Sequence, residues 1–214
     1  MTSFTILLTR LRPAAVLVMA LGLASCGGKA SFPINGTVSG LQYNGLVLTT
    51  NGMDVSVPAT ATSATTAVTF SFPNSISYGE VYNVTQKTPP AHQSCSTISP
   101  LTGVDTASNT AGRIATISIT VTCSLVPHAI GGTVTGLTAG TLVLTNGTAG
   151  GTATIVPATV VTDPVVYAFP TQVAYNTSYG ITVLSQPAGK VCTVSNATGV
   201  MGDDAITNIN VTCV

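Results

Sequence analysis

Few side chains in this 214-residue sequence are able to do chemistry. There are two histidines, His92 and His128, five cysteines, and six residues each of Lys+Arg and Asp+Glu. A Ser-His-Asp system needs an imidazole held between a carboxylate and an activated hydroxyl. That would require His92 near Asp105 or Glu80, and nothing in the spacing supports it. No G-x-S-x-G turn occurs either. His92 follows Pro89-Pro90 in a loop, and His128 falls in a linker. A zinc-type site needs several His or free Cys ligands. Asp203-Asp204 offer two adjacent carboxylates, but calcium takes about six to eight oxygens, and the pair reads as a polar turn. The expectation is a chain that is not an enzyme, with no metal site and no cofactor.

The cysteines carry more information. They are Cys26, Cys95, Cys123, Cys192 and Cys213, and an odd number in an exported chain calls for an explanation. Export is read from the first residues. Arg10 and Arg12 precede the apolar run Pro13 to Leu23, which is shorter than the roughly 20 residues a membrane-spanning helix needs. Leu23-Ala24-Ser25-Cys26 then resembles the lipobox of bacterial lipoproteins. The resemblance implies a signal peptide of residues 1–25, cleavage after Ser25, and a diacylglyceryl thioether with further acylation such as palmitate on Cys26. It also implies sorting to the outer membrane, because Gly27 stands where an Asp favours inner-membrane retention. Residues 26–32 form a tether of at most about 25 Å when extended. Lipidation of Cys26 leaves four cysteines for two bridges.

Composition narrows the class further. Only 6% of residues are charged, against about 25% in an average domain. Without the signal, four cations face six acids, a net charge of −2. Nucleic-acid binding is excluded, because phosphate neutralisation needs clustered Lys and Arg. A charged disordered tail is excluded by the 45% hydrophobic content. The 37 threonines and 21 glycines, with Val and Ile, suggest short strands joined by turns.

The sequence is one unit written twice. Ile34-Asn35-Gly36-Thr37-Val38-Ser39-Gly40-Leu41 matches Ile130-Gly131-Gly132-Thr133-Val134-Thr135-Gly136-Leu137. Phe72-Pro73 matches Phe169-Pro170, and Tyr78, Tyr82, Pro90 and Cys95 match Tyr175, Tyr179, Pro187 and Cys192 without a gap. Ile119-x-Val121-x-Cys123 matches Ile209-x-Val211-x-Cys213. A period of this length suits a small β-sandwich rather than a solenoid turn. The expected organisation is an all-β chain with two tandem antiparallel sandwiches, Ig-like or transthyretin-like, at 33–126 and 127–214. Strands are expected near 34–41, 44–50, 53–57, 67–72, 80–86, 93–98 and 114–123. In the second unit they fall near 130–137, 140–145, 152–156, 164–169, 178–184, 190–195 and 205–213. Asn-Gly at 44–45, 51–52 and 146–147 mark turns.

The four remaining cysteines fit a hairpin register. Positions 95 and 123 centre a turn near Asn109, and positions 192 and 213 centre one near Gly202-Asp203, both in loop-like sequence. Three pairings are possible on paper. Repeat symmetry favours Cys95–Cys123 and Cys192–Cys213, closing each unit internally. The six tyrosines invite a sugar platform, yet Tyr82 and Tyr179 read better as core residues. The six Asn-x-Ser/Thr sequons, at Asn35, Asn83, Asn146, Asn176, Asn196 and Asn210, read as a by-product of Asn- and Thr-rich strands.

The unit G-T-V-x-G-L … F-x-F-P … Y-x-V-T … C-T-V-x-N … V-T-C resembles a repeat of bacterial exported proteins and lipoproteins. Its start and centre are similar to transthyretin-like and carboxypeptidase-regulatory-like sandwiches. The first unit departs from the pattern at Gln93-Ser94-Cys95-Ser96 and has a longer last hairpin. The resemblance implies an envelope protein and no reaction. The expected role is a non-catalytic, envelope-anchored structural, spacer or adhesive module. The alternative is a ligand-binding or accessory protein that recognises glycan or peptidoglycan. Expected partners are the membrane, through the lipid anchor, and an envelope protein or glycan, without nucleic acid.

Overall fold

The computed structural model describes residues 30–98, 103, 105–147, 149–157 and 164–214. The expected signal peptide, 1–25, and Cys26 lie outside the described residues. The described chain is all β-structure, with no helix. The first half contains β1 (Ser31–Phe32), β2 (Ile34–Ser39), β3 (Leu46–Thr50), β4 (Met53–Val57), β5 (Val68–Ser71), β6 (Ile76–Ser77), β7 (Val81–Asn83), β8 (Thr85–Thr88), β9 (Gln93–Ser96), β10 (Ser108–Thr110) and β11 (Ile117–Leu125). The second contains β12 (Pro127–His128), β13 (Gly131–Thr135), β14 (Leu142–Asn146), β15 (Thr152–Ile155), β16 (Val165–Ala168), β17 (Val173–Ala174), β18 (Ser178–Ser185), β19 (Cys192–Val194), β20 (Thr198–Val200) and β21 (Val211–Cys213).

Each half stacks two principal sheets. In the first they are β5-β2-β11-β9 and β4-β3-β8; in the second, β16-β13-β21-β19 and β15-β14-β18-β20. Alternation decides which face is buried. Ile117, Ile119, Val121 and Cys123 of β11 point inward while Ser118 and Thr120 face water. The buried apolar side chains form two clusters with no member in common, one from Ile34 to Cys123 and one from Ile130 to Cys213.

The described strands differ from the expected ones in three ways. The strand expected at 80–86 is broken at Val84 into β7 and β8, whereas its counterpart β18 is continuous. The last connection of each half is a crossover rather than a hairpin turn. Asn109 lies in β10 opposite Tyr82, in a two-stranded ladder with β7, and β20 joins the β15-β14-β18 sheet, so the chain leaves the sheet of β9 or β19 before returning to it. It returns at the end where the first strand begins, so β11 runs parallel to β2, and β21 to β13. The other strand pairs are antiparallel. Finally, Ser31 and Phe32 pair with Ser77 and Ile76, so the end of the expected tether belongs to the fold.

The parallel pair explains the G-T-V-x-G motif. A Cβ on Gly36 would stand 2.4 Å from the carbonyl oxygen of Ile119, and one on Gly132 would stand 2.0 Å from that of Ile209. Gly40 and Gly136 turn the chain out of the sheet at φ of 71° and 74°, a conformation that glycine takes without steric cost.

Candidate binding site at the seam between the repeats

The cysteines form Cys95–Cys123 and Cys192–Cys213 bridges, each between laterally paired strands. The four described cysteines therefore supply no free thiol. Among the described residues no three His, Cys, Asp or Glu side chains converge on a possible metal site. The side chains with chemical potential gather instead where the two halves meet.

His92 sits at the tip of the loop before β9, at φ 58°, and its counterpart Gly189 adopts φ 72°. The left-handed turn is shared by both repeats, but the first fills it with an imidazole. That ring lies flat on Tyr175 of the second half, with centroids 3.9 Å apart and planes 2° from parallel. Its Nδ1 is 2.6 Å from Oδ1 of Asp203. Tyr43 closes the group edge-on, 5.0 Å from His92 and 5.7 Å from Tyr175. Neither Asp105 nor Glu80 approaches His92 as an ion-pair or hydrogen-bond partner. Among the described residues no serine or threonine hydroxyl hydrogen-bonds it. The imidazole is thus engaged by a carboxylate and an aromatic face, with no nucleophile to activate.

The loops that present these rings are locked from below. Gln93 is only 3% exposed. Its Oε1 accepts the N–H groups of Gln42 and Tyr43 at 2.7 and 3.0 Å, and its Nε2 donates to the carbonyl of Gly40 at 2.7 Å. The amide N–H of Ala91 donates to the carbonyl of Asn44 at 3.0 Å. A buried amide that makes three hydrogen bonds fixes a loop firmly, because any lost partner would be left unsatisfied. The linker joins the same system. Val126 donates its N–H to the carbonyl of His92 at 2.9 Å and accepts the N–H of Tyr175 at 2.9 Å. Next to it, His128 pairs with Val173 in β12, its Nε2 buried without a hydrogen-bond partner.

Partial burial first, then the Asp203 carboxylate and Tyr43, raise the pKa of the Tyr175 phenol. It stays neutral at physiological pH and serves as a stacking surface for the imidazole. The other tyrosines separate clearly. Tyr82, Tyr167 and Tyr179 are buried. Tyr167 donates its hydroxyl to the carbonyl of Ile209 at 2.9 Å, and burial pushes its pKa up to about 12. Tyr78 is exposed.

Sequence reasoning missed the seam. The repeat register sets Tyr78 against Tyr175 and, by the same offset, His92 against Gly189, but spacing within one repeat does not report contacts to the next. The available signal was a histidine standing where the other copy has a glycine. Gln93 carried a similar signal, because it opens the stretch where the first repeat departs from the pattern.

No family model matches the chain, and no curated protein matches it. Among solved structures, it is similar to the TIE protein of Bacillus anthracis at 12% identity and a TM-score of 0.44, over 86% of this chain and 34% of that one. It is also similar to the pilus adhesin SpaC of Lactobacillus rhamnosus GG at 12% identity and a TM-score of 0.32, over 85% of this chain and 30% of that one. A C-terminal fragment of SpaC gives 11% identity and a TM-score of 0.31, over 84% and 95%. The chain spans about a third of the length of the first two. At these values the likenesses assign no activity, ligand or partner.

Proposed function

We propose that the chain is a non-catalytic, envelope-anchored lipoprotein whose two β-sandwich repeats act as a structural, spacer or adhesive module. In this reading residues 1–25 are removed and Cys26 carries the lipid. The repeats 33–126 and 127–214 project from the membrane as one clamped pair. The observation that carries the reading is the seam. The only imidazole at a loop tip with a carboxylate partner is used to join two repeats, and its ring is covered on one face by Tyr175. The two disulfides support a location outside the cytosol, because such bonds persist in oxidising compartments. The tyrosines lend the glycan reading little support, since three are buried and two are packed within the seam.

Palmitate labelling of the wild type and Cys26→Ser tests the anchor. The wild type should take up label and fractionate with the envelope. The variant should take up none and remain as precursor or soluble protein. Equal labelling of both would refute the lipoprotein reading.

A further inference from the structure

The two repeats present the same end to different surroundings. In the second repeat that end meets the first: Tyr175 is covered by His92, and the turn before β21 carries Asp203 and Asp204. In the first repeat the same end lies beside the N-terminal segment. Tyr78 stands in the place of Tyr175, and its N–H donates to the carbonyl of Ala30 at 2.9 Å. Its ring lies over Gly112, where a Cβ would come within 2.3 Å of it, and 6.4 Å from the ring of Phe32. No His-bearing loop covers it, and Tyr78 is 69% exposed. The turn before β11 carries Arg113, exposed, and Ile114, 42% exposed, where the second repeat has its acids. The acid nearest Tyr78 in sequence, Glu80, is turned back onto its own loop, accepting the N–H of Ser77 at 2.7 Å.

We propose that this end of the first repeat, through Tyr78, Arg113 and Ile114, rests in the headgroup layer of the phospholipid bilayer. The proposal depends on the acylation of Cys26 put forward above. Ala30 is four residues from Cys26, so the fold begins at most about 14 Å from the anchor even when that segment is fully extended. A phenol at the headgroup level keeps its ring in apolar surroundings and its hydroxyl in water. Ile114 adds apolar surface, and Arg113 pairs with lipid phosphate. The exchange of Asp203-Asp204 for Arg113-Ile114 is the charge change that a move from a histidine partner to an anionic surface requires.

Because the sequence contains no tryptophan, Tyr78→Trp makes a single reporter at this end, and Ile114→Trp a second one. Leu184→Trp, at an exposed position late in β18, is the distant control. Each acylated full-length variant is placed in vesicles of phosphatidylethanolamine and phosphatidylglycerol whose acyl chains are brominated near the glycerol. Emission at 78 or 114 should be quenched severalfold more than at 184. Adding Arg113→Glu should reduce that quenching while the protein still floats with the vesicles. Equal quenching at all positions, or none in protein that floats, would overturn the proposal. If the chain is not acylated and fails to float, the lipoprotein reading fails separately. An N-terminal histidine tag on chelating lipid then holds the mature chain at the same surface. Under that tether, quenching at 78 sustains the contact, and its absence overturns it.

Discussion

The imidazole of His92 and the ring of Tyr175 lie parallel, 3.9 Å apart, although they belong to different copies of the repeat. The stack exists because His92 occupies a left-handed turn in which the second copy has glycine. Non-glycine residues are uncommon there, and such outliers cluster where the surrounding structure holds them for a purpose. Here the surroundings are Tyr43, Asp203 and the backbone of Val126. His92 is therefore one of the links that place the two repeats, beside the backbone of Val126 and the ring of Tyr43.

His92→Gly restores the residue of the second copy and deletes the ring. Both repeats should stay folded and lose their coupling. An aromatic stack contributes about 0.5–1.5 kcal/mol and a hydrogen bond about 0.5–1.5 kcal/mol, so the coupling is on the order of 1–2 kcal/mol. Calorimetry should show a single transition separating into two. A double-mutant cycle with Asp203→Asn isolates the contribution of the Asp203 carboxylate. An unchanged single transition in His92→Gly would show that the repeats are held together elsewhere.

Gln93→Leu keeps the volume of a buried side chain and removes three hydrogen bonds. The amides of Gln42 and Tyr43 lose their acceptor, which should cost about 1–3 kcal/mol in denaturant unfolding. Tyr43 should also lose its fixed place, weakening the near-ultraviolet dichroism of the seam. Unaltered stability and dichroism would mean that the loop is held without Gln93.

Tyr167 predicts an alkaline limit to stability. Its folded pKa, pushed up to about 12, lies above the ordinary tyrosine value of about 10. The native state therefore holds this proton more tightly than the unfolded chain. The resulting stability is complete below about pH 10 and is lost as the pH rises toward 12. Tyr167→Phe should flatten that decline while lowering stability near neutrality, because the carbonyl of Ile209 loses its donor. Unfolding curves across the alkaline range, read beside tyrosinate absorbance, check both effects. A decline that persists in Tyr167→Phe would assign it to another group.

Much of the fold was legible because period-2 burial and the doubled sequence say the same thing. The register at Cys95 and Cys123 follows a constant index sum, and Thr122 indeed faces Ser96 as Leu125 faces Gln93. That sum was read as a hairpin, but a register fixes only which residues face each other. It is silent on where the intervening chain travels, so the pairing of β10 with β7 was hidden. The Asn-Gly pairs show a similar limit. Asn51-Gly52 forms the turn between β3 and β4, with both residues at positive φ. Asn146 is buried instead, its Oδ1 accepting the N–H of Gly180 at 3.1 Å. Thr50 does the same for Asn83 at 3.2 Å in the first repeat. The seam was hidden for a further reason: Tyr43, His92, Tyr175 and Asp203 are brought together only by the packing of one repeat on the next.

The most direct measurement separates the repeats. The linker contact of Val126 with Tyr175 places the cut one residue earlier than the repeat boundary read from sequence, giving fragments 30–125 and 126–214. Each carries its own buried cluster and its own disulfide, which contributes roughly 3 to 4 kcal/mol in the chain-entropy model. Circular dichroism and thermal unfolding under oxidising conditions should show β-type spectra and cooperative transitions for both. Each fragment should be less stable than in the intact chain by no more than the seam coupling. A fragment that is unfolded by itself would contradict two self-sufficient sandwiches joined by a clamp, and would make the seam part of one larger core.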